Sequence, residues 1–248
     1  MKVCAIAGFY NRYRCATRII RMYLLQDYEG PSVLLLYNNG PQEYTLAPIE
    51  LPPNKQIILI NNNKELATGE PYKDTGTIFQ DALTFIPDDV ELCTFMDTDD
   101  FYSPRHLSKG VEGYKKALQN NQLAYKPYKS WFKYVGQAVR EEHGVMEPSI
   151  FVNKDHLLKY GMSPVTASYH HKWIMPLTNE KKIYQPFLGE KTFLYWWGGD
   201  DGVYKTSSGG DSESAFKKLR NWEKDQGSNV LAPCPQEEIQ KYYNIVHW

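Results

Sequence analysis

Three carboxylates, Asp97, Asp99 and Asp100, fall within four positions of the stretch ELCTFMDTDDFYSPRHL, residues 91 to 107. They follow directly on an apolar run, Leu92 to Met96. Alternate side chains of an extended D-x-D segment reach toward one point, and like charges held there repel unless a cation or basic ligand joins them. Hard divalent ions such as Mg²⁺ and Mn²⁺ take oxygen ligands of this kind, commonly a few carboxylates together with substrate phosphates. Capping of the next helix by Asp100 and Ser103 would account for one aspartate, not three. The chain has neither a G-x-x-x-x-G-K-[ST] loop nor a G-x-G-x-x-G fingerprint, so a bound phosphate would depend on metal rather than on a glycine-rich cradle.

Three other stretches carry chemistry-bearing residues. YWWGGDDGVYK (195–205) sets Asp200 and Asp201 after two glycines and the flat faces of Trp196 and Trp197; an Asx turn is the structural alternative. ASYHHKWIMPL sets His170 beside His171, where a packed and a solvated histidine at a helix start would look the same. YKPYKSWFKY (125–134) interleaves five aromatic residues with Lys126, Lys129 and Lys133. Such a mix suits stacking on bases or sugars with phosphate contacts, and equally a half-buried hairpin with its lysines in water.

The elements that must position these residues are legible in the hydrophobic pattern. KVCAIAGF (2–9), SVLLLY (32–37), KQIILIN (55–61) and LCTFM (92–96) read as buried strands. RCATRIIRMYLLQ places Ala16, Ile19, Ile20, Tyr23 and Leu24 on one helical face, with Arg14, Arg18 and Arg21 directed elsewhere, and a further helix is expected around 74–86. Strands apolar on both faces and separated by helices indicate a mainly parallel α/β sheet covered on two sides. In such sheets ligands bind beyond the carboxyl ends of the strands, and GFYNR, YNNG and MDTDD would gather on one rim. SPRHLSKGVEGYKKAL reads as a helix with Ser103 as N-cap and Pro104 at its first position. Beyond it come shorter, more polar strands at 122–135 and 148–152, helices in NKDHLLKYG and SYHHKWIMPLTNEKK, and a strand in KTFLYWW. A flexible loop, TSSGGDSES, and a terminal helix, SAFKKLRNWEKD, complete the pattern. No repeat or long linker divides the chain, which is read as one domain over 1–248 whose character changes between residues 1–110 and 111–248.

At 42% apolar and 23% charged residues the composition is that of an ordinary globular protein. A net charge of −1 supplies no general attraction to nucleic acid or anionic membrane, so such binding needs a local patch. The four cysteines show no metal-type spacing, and no window of 18 uninterrupted apolar residues appears. A soluble, cytoplasmic protein without membrane insertion is expected, in the host cytoplasm if the gene is carried by a phage.

FMDTDDFYSPRHL resembles the D-x-D segment of nucleotide-sugar glycosyltransferases of the GT-A fold, most closely family 2, and AGFYNRYRCATRIIRMYLLQDYEGPSVLLLYNNG is similar to the opening of that family. The resemblance covers residues 2–110 well and the rest loosely. It implies a GT-A type α/β fold with a smaller acceptor-side region, and a metal-dependent, inverting transfer from a UDP-linked sugar with Mn²⁺ or Mg²⁺. By the same resemblance Asp99 or Asp100 would bind the metal, Asp97 would bind the ribose or the metal, and Asp97 and Asp99 would touch the donor. Ala7, Gly8, Phe9, Tyr10 and Arg12 line its pocket. Asn38 and Asn39 stand where the family carries an Asp for the base; an amide offers a donor and an acceptor to a uracil edge.

YWWGGDDGVYK resembles the W-G-G-E-D-D segment of beta-1,4-galactosyltransferases, which implies Asp201 as the base that deprotonates the acceptor and Asp200 as its acceptor-binding neighbour. Trp196 and Trp197 would then face the acceptor. A competing alignment to family 2 puts His170 or His171 at the base position and Lys205 where a metal-binding His is usual; His247 could then supply the remaining metal ligand. The acceptor is a glycan or a hydroxymethylated pyrimidine in phage-type DNA. Two other classes stay open: a haloacid-dehalogenase-like Mg²⁺ phosphohydrolase, although its D-x-D ends the first strand rather than the fourth, and a non-catalytic nucleotide-sugar-binding protein.

Overall fold

The computed structural model describes residues 1–133, 139–143 and 147–196. The N-terminal half alternates strand and helix: β1 (Val3–Phe9), α1 (Tyr13–Leu24), β2 (Ser32–Asn38), β3 (Lys55–Asn61), α2 (Thr75–Leu83) and β4 (Leu92–Phe95). After the acidic loop come β5 (Phe101–Tyr102), α3 (His106–Gln119), β6 (Ala124–Tyr125), β7 (Lys129–Lys133) and β8 (Arg140–His143). The described chain closes with β9 (Phe151–Asn153), α4 (Lys154–Tyr160), α5 (His171–Asn179), β10 (Ile183–Tyr184) and β11 (Phe193–Trp196).

Seven strands form the central sheet in the order β10-β6-β9-β4-β1-β2-β3. The β4-β1-β2-β3 portion is parallel throughout, and β9 runs antiparallel to both β4 and β6. The expected parallel sheet is thus present with one reversed strand inserted. Alternation explains the two-sided burial. Val3, Ala5, Ala7 and Phe9 of β1 point into one core with Leu34 and Leu36 of β2, against Ile19 and Tyr23 of α1 and Val111 and Tyr114 of α3. Cys4 and Ile6 point into the opposite core with Val33, Leu35 and Tyr37, against Phe79 of α2, Leu157 of α4 and Trp173 of α5. Cys4 and Cys93 are buried free thiols within this second core, as expected of small apolar groups, and burial pushes the Cys4 thiol up to about 12.

Two glycines allow α3 to lie close against the sheet. A Cβ at Gly110 would sit 2.0 Å from the Phe151 ring, and one at Gly113 would sit 2.4 Å from the Tyr125 ring. A second sheet, β5-β11-β7-β8, extends the first core with Phe101, Trp131 and Phe193. The sequence pattern missed β5, β8 and β10. Two of these have only two residues, too few for a periodic signal, and β8 reads REEH, which no apolar alternation marks. The loop TSSGGDSES and the helix expected in SAFKKLRNWEKD lie outside the described residues.

The α3 start differs from expectation. The helix begins at His106, with Arg105 in the N-cap position, and Ser103 does not cap it: its buried Oγ has no hydrogen-bond partner among the described residues. Gln26, just beyond α1, takes over the task. Its Oε1 accepts from the Leu107 backbone N–H at 2.9 Å, while its Nε2 donates to the carbonyls of Met22 and Ser103. A buried amide with these three bonds ties the end of α1 to the start of α3. The long-range contact stands in for the local cap, while the Ser103 backbone N–H donates to the Thr192 carbonyl beside β11.

Candidate active site

The parallel register brings the three strand ends to one rim, as the hydrophobic pattern predicts. Phe9 pairs with Asn38 and Asn38 with Asn61, while β4 runs beside β1 as far as Phe95 opposite Ile6. The Met96 N–H still donates to the Ile6 carbonyl; the chain then leaves the sheet and turns, with the Asp100 N–H donating to the Asp97 carbonyl at 3.2 Å. Within that turn one carboxylate oxygen from each of Asp97, Asp99 and Asp100 lies within 4.8 Å of the others. Asp97 and Asp99 are partly open, whereas Asp100 is buried.

Two arginines of the α1 region meet this turn. Arg12 Nη1 donates to Asp99 Oδ2 at 2.7 Å in a pair that is about one quarter exposed on each side. Arg18 donates through Nη2 to the Thr98 carbonyl at 3.1 Å, and its guanidinium stacks over the Phe101 ring at 4.6 Å. Its helical position sets Arg18 off the apolar face of α1 without assigning it a partner; its partners are the acidic turn and the Phe101 ring. Cys15, Arg18 and Met22 are spaced i, i+3 and i+7, a flank of α1 that is buried on either side of the arginine, and this spacing was the signal available in the sequence. Thr98 Oγ1 donates in turn to the Gly8 carbonyl, so the acidic turn is fastened to β1 as well as to α1.

Three acidic side chains and two guanidiniums thus share one small volume. The arginines relieve part of the mutual repulsion of the three carboxylates. The donor set nevertheless fits a hard divalent ion. All donors are carboxylate oxygens, and Arg12 engages a single oxygen of Asp99. Opposed ligands around Mg²⁺ or Mn²⁺ lie roughly 4 Å apart, comparable with the observed spread.

The loop between β1 and α1 turns sharply. Asn11 adopts a left-handed φ of +52°, which asparagine tolerates better than most residues, and Arg12 follows in the helix N-cap position. The loop after β2 interlocks with it. A Cβ on Gly40 would stand 3.0 Å from both Asn11 Oδ1 and Asn38 Oδ1.

Asn38 is consumed by this interlock: its Nδ2 donates to the Gln42 carbonyl and to Asn61 Oδ1, and its Oδ1 accepts from the Gly40 N–H. Being buried, it is a scaffold for the turn rather than a surface for a base, and Asn39 is the half-buried residue beside it. Ala7 likewise has no accessible surface and belongs to the core. Tyr10 is 56% exposed at the rim, and Phe9 is buried edge-on against Tyr13 and Tyr44.

His170 and His171 open α5, with rings 5.1 Å apart. A run of aromatic contacts connects them to β1: His170 meets Tyr169, Tyr169 stacks on Phe79 at 5.0 Å, and Phe79 fills the space a side chain on Gly8 would need. Trp196 ends β11, while Trp197, Asp200, Asp201, Lys205 and His247 lie outside the described residues. β11 runs antiparallel to β5, with Phe193 opposite Tyr102 and Leu194 opposite Phe101. Its carboxyl end therefore leaves the sheet on the side where Asp99 and Asp100 enter β5.

In the YKPYKSWFKY stretch the structure pairs charge with charge. Lys126 is buried, Lys129 forms an ion pair with Glu141, and Lys191 reaches the same carboxylate at 2.9 Å while covering the Trp131 ring. Lys126 and Lys129 are thus both accounted for within the described structure.

No protein-family profile matches the chain, and no curated protein matches it. Solved structures do. The crystal structure of S. aureus TarS 1-349 in complex with UDP-GlcNAc superposes with a TM-score of 0.58 at 12% identity, over 99% of this chain and 72% of that one. Its complex with UDP gives 0.56 at 12% identity, and TarS 1-349 without a named ligand gives 0.56 at 13%, each over 79% of this chain and 60% of that one. The chain thus spans about 60% of the length of TarS 1-349 as seen without a named ligand and with UDP. At such identities the likeness is one of architecture, and the seven-stranded, mostly parallel sheet with helices on both faces is a GT-A type fold.

Proposed function

We propose that the protein is a nucleotide-sugar glycosyltransferase that uses a UDP-linked donor, a divalent cation and an acceptor hydroxyl. The observation that carries this reading is the convergence of Asp97, Asp99 and Asp100 at the carboxyl end of β4, on a sheet that superposes on a UDP-GlcNAc complex. Asp99 and Asp100 would hold Mn²⁺ or Mg²⁺, which when bound neutralises charge on the departing diphosphate. Asp97 and Asp99 face the donor, and the rim formed by Gly8, Phe9, Tyr10 and Arg12 borders its pocket. Asn39 is the better placed of the two asparagines to meet the base, since Asn38 holds the turn.

Asp201 is the proposed base. It takes the proton of the acceptor hydroxyl as that oxygen bonds to the anomeric carbon and the bond to the diphosphate oxygen breaks, inverting the centre. Asp200, Trp196 and Trp197 would bind the acceptor. Support comes from β11, whose described carboxyl end at Trp196 points to the side where Asp99 and Asp100 enter β5. His170 and His171, at the start of α5, are proposed as further acceptor-side residues. The Glu141 ion pairs reduce the case for a polyanionic acceptor and leave a glycan as the better fit, to be decided by a screen that includes hydroxymethylated DNA.

Calorimetry with UDP, with and without Mn²⁺, tests the reading. Binding that needs the metal and is lost in Asp99→Asn supports it. Undiminished donor affinity and turnover in Asp99→Asn would overturn the metal assignment, and release of phosphate from small phosphoesters without nucleotide binding would favour a phosphohydrolase.

A further inference from the structure

The acidic turn already holds a cation of its own, and its placement has a consequence for how the site fills. Arg12 donates to Asp99 Oδ2 at 2.7 Å, in a charge-assisted bond that is partly shielded from solvent. The other arginine is not equivalent. Arg18 is anchored by the Thr98 carbonyl and by the Phe101 ring, within the packed body of the domain. Arg12 stands instead at the mouth of α1, directly after the left-handed Asn11, and its side chain makes no capping bond to the helix. A divalent cation held by Asp99 and Asp100 and a guanidinium on Asp99 would compete for the same carboxylate. Two cations on one carboxylate group repel, and each weakens the attraction felt by the other.

We propose that Arg12 is a resident counter-ion for Asp99, which gives up its oxygen when the metal and diphosphate arrive together and then turns to the diphosphate. This rests on the transferase reading above and adds a coupling to it. Metal alone must displace Arg12 without offering the guanidinium another anion, so it binds weakly. Metal with the diphosphate supplies that anion, so the two bind together. The arrangement would keep the site from trapping free divalent ions and would make the nucleotide the switch for metal entry.

The test is calorimetry of Mn²⁺ alone and of UDP in the presence of Mn²⁺, on the full chain, for the wild type, Arg12→Met and Arg12→Lys. Circular dichroism and thermal unfolding confirm that the variants fold. Expected for Arg12→Met is a gain of about tenfold in affinity for Mn²⁺ alone, together with a loss of similar size for UDP in the presence of Mn²⁺. Arg12→Lys, which keeps the charge, should hold Mn²⁺ alone weakly like the wild type. Unchanged or weaker binding of Mn²⁺ alone by Arg12→Met would overturn the counter-ion role while leaving the transferase reading intact, provided the wild type binds UDP with Mn²⁺. A wild type that binds neither would overturn both.

Discussion

His106 gives the most quantitative prediction. It is the first residue of α3, fully buried, with Nδ1 2.9 Å from Thr192 Oγ1 and its ring between Tyr102 and Phe151. Through Thr192 it ties α3 to the start of β11, and α3 in turn follows β5 and the acidic turn. Burial disfavours the imidazolium and pushes the His106 pKa down from 6.5 to about 3. The helix N-terminus opposes a positive charge there as well. The folded protein therefore keeps His106 neutral at pH values where the unfolded chain protonates it. No stability is lost on this account above about pH 6.5; loss begins as the pH falls through that value and levels off near pH 3. At pH 5, about 1.5 units below the unfolded pKa, the loss is about 2 kcal/mol, and at full extent it approaches about 5 kcal/mol. Urea unfolding at pH 7 and pH 5 measures it, with His106→Gln as the non-titrating reference, since an amide can still bond Thr192. The wild type should lose about 2 kcal/mol more than the variant between the two pH values, because all other titrating groups contribute equally to both. Equal losses in the two proteins would show that His106 is not held neutral by burial, and the packing described around α3 would be wrong.

Gln26→Ala should lower stability by about 2 kcal/mol in the same assay, because it strips the Leu107 N–H and two carbonyls of their buried partner, whereas Ser103→Ala should change it little. For the base, turnover should fall by at least about a thousandfold in Asp201→Asn while UDP affinity stays, as expected of a group that moves a proton in the transition state. Retained turnover in Asp201→Asn together with loss in His171→Ala would transfer the role to the start of α5.

How much of this was legible in the sequence divides along a physical line. The four strands β1 to β4 and the helices between them are long apolar or amphipathic runs, and their burial is decided by residues within each run. The rim position of Asp97 to Asp100 followed from the same pattern, since a parallel sheet collects its strand ends. What escaped were contacts between distant segments. The capping of α3 by Gln26 has no local signature, and the spacing that sets Arg18 between buried positions does not name the acidic turn as its partner. Each partner lies some 80 positions from the other in the chain. Asn38 illustrates the same limit: its residue type suits a base edge, while the tight Gly40 turn gives every polar atom of its side chain a partner that the sequence does not show. In the YKPYKSWFKY stretch the sequence left a basic surface and a half-buried hairpin open, because Glu141, the partner of Lys129, belongs to the unpredicted β8.

The central claim is that a divalent cation joins the acidic turn to the diphosphate of an activated sugar. Anomalous scattering from a crystal grown with Mn²⁺ and UDP tests it most directly. A manganese peak within coordination distance of Asp99 and Asp100 and of a diphosphate oxygen is the predicted result. A crystal with UDP bound at the rim and no metal near these carboxylates would contradict it.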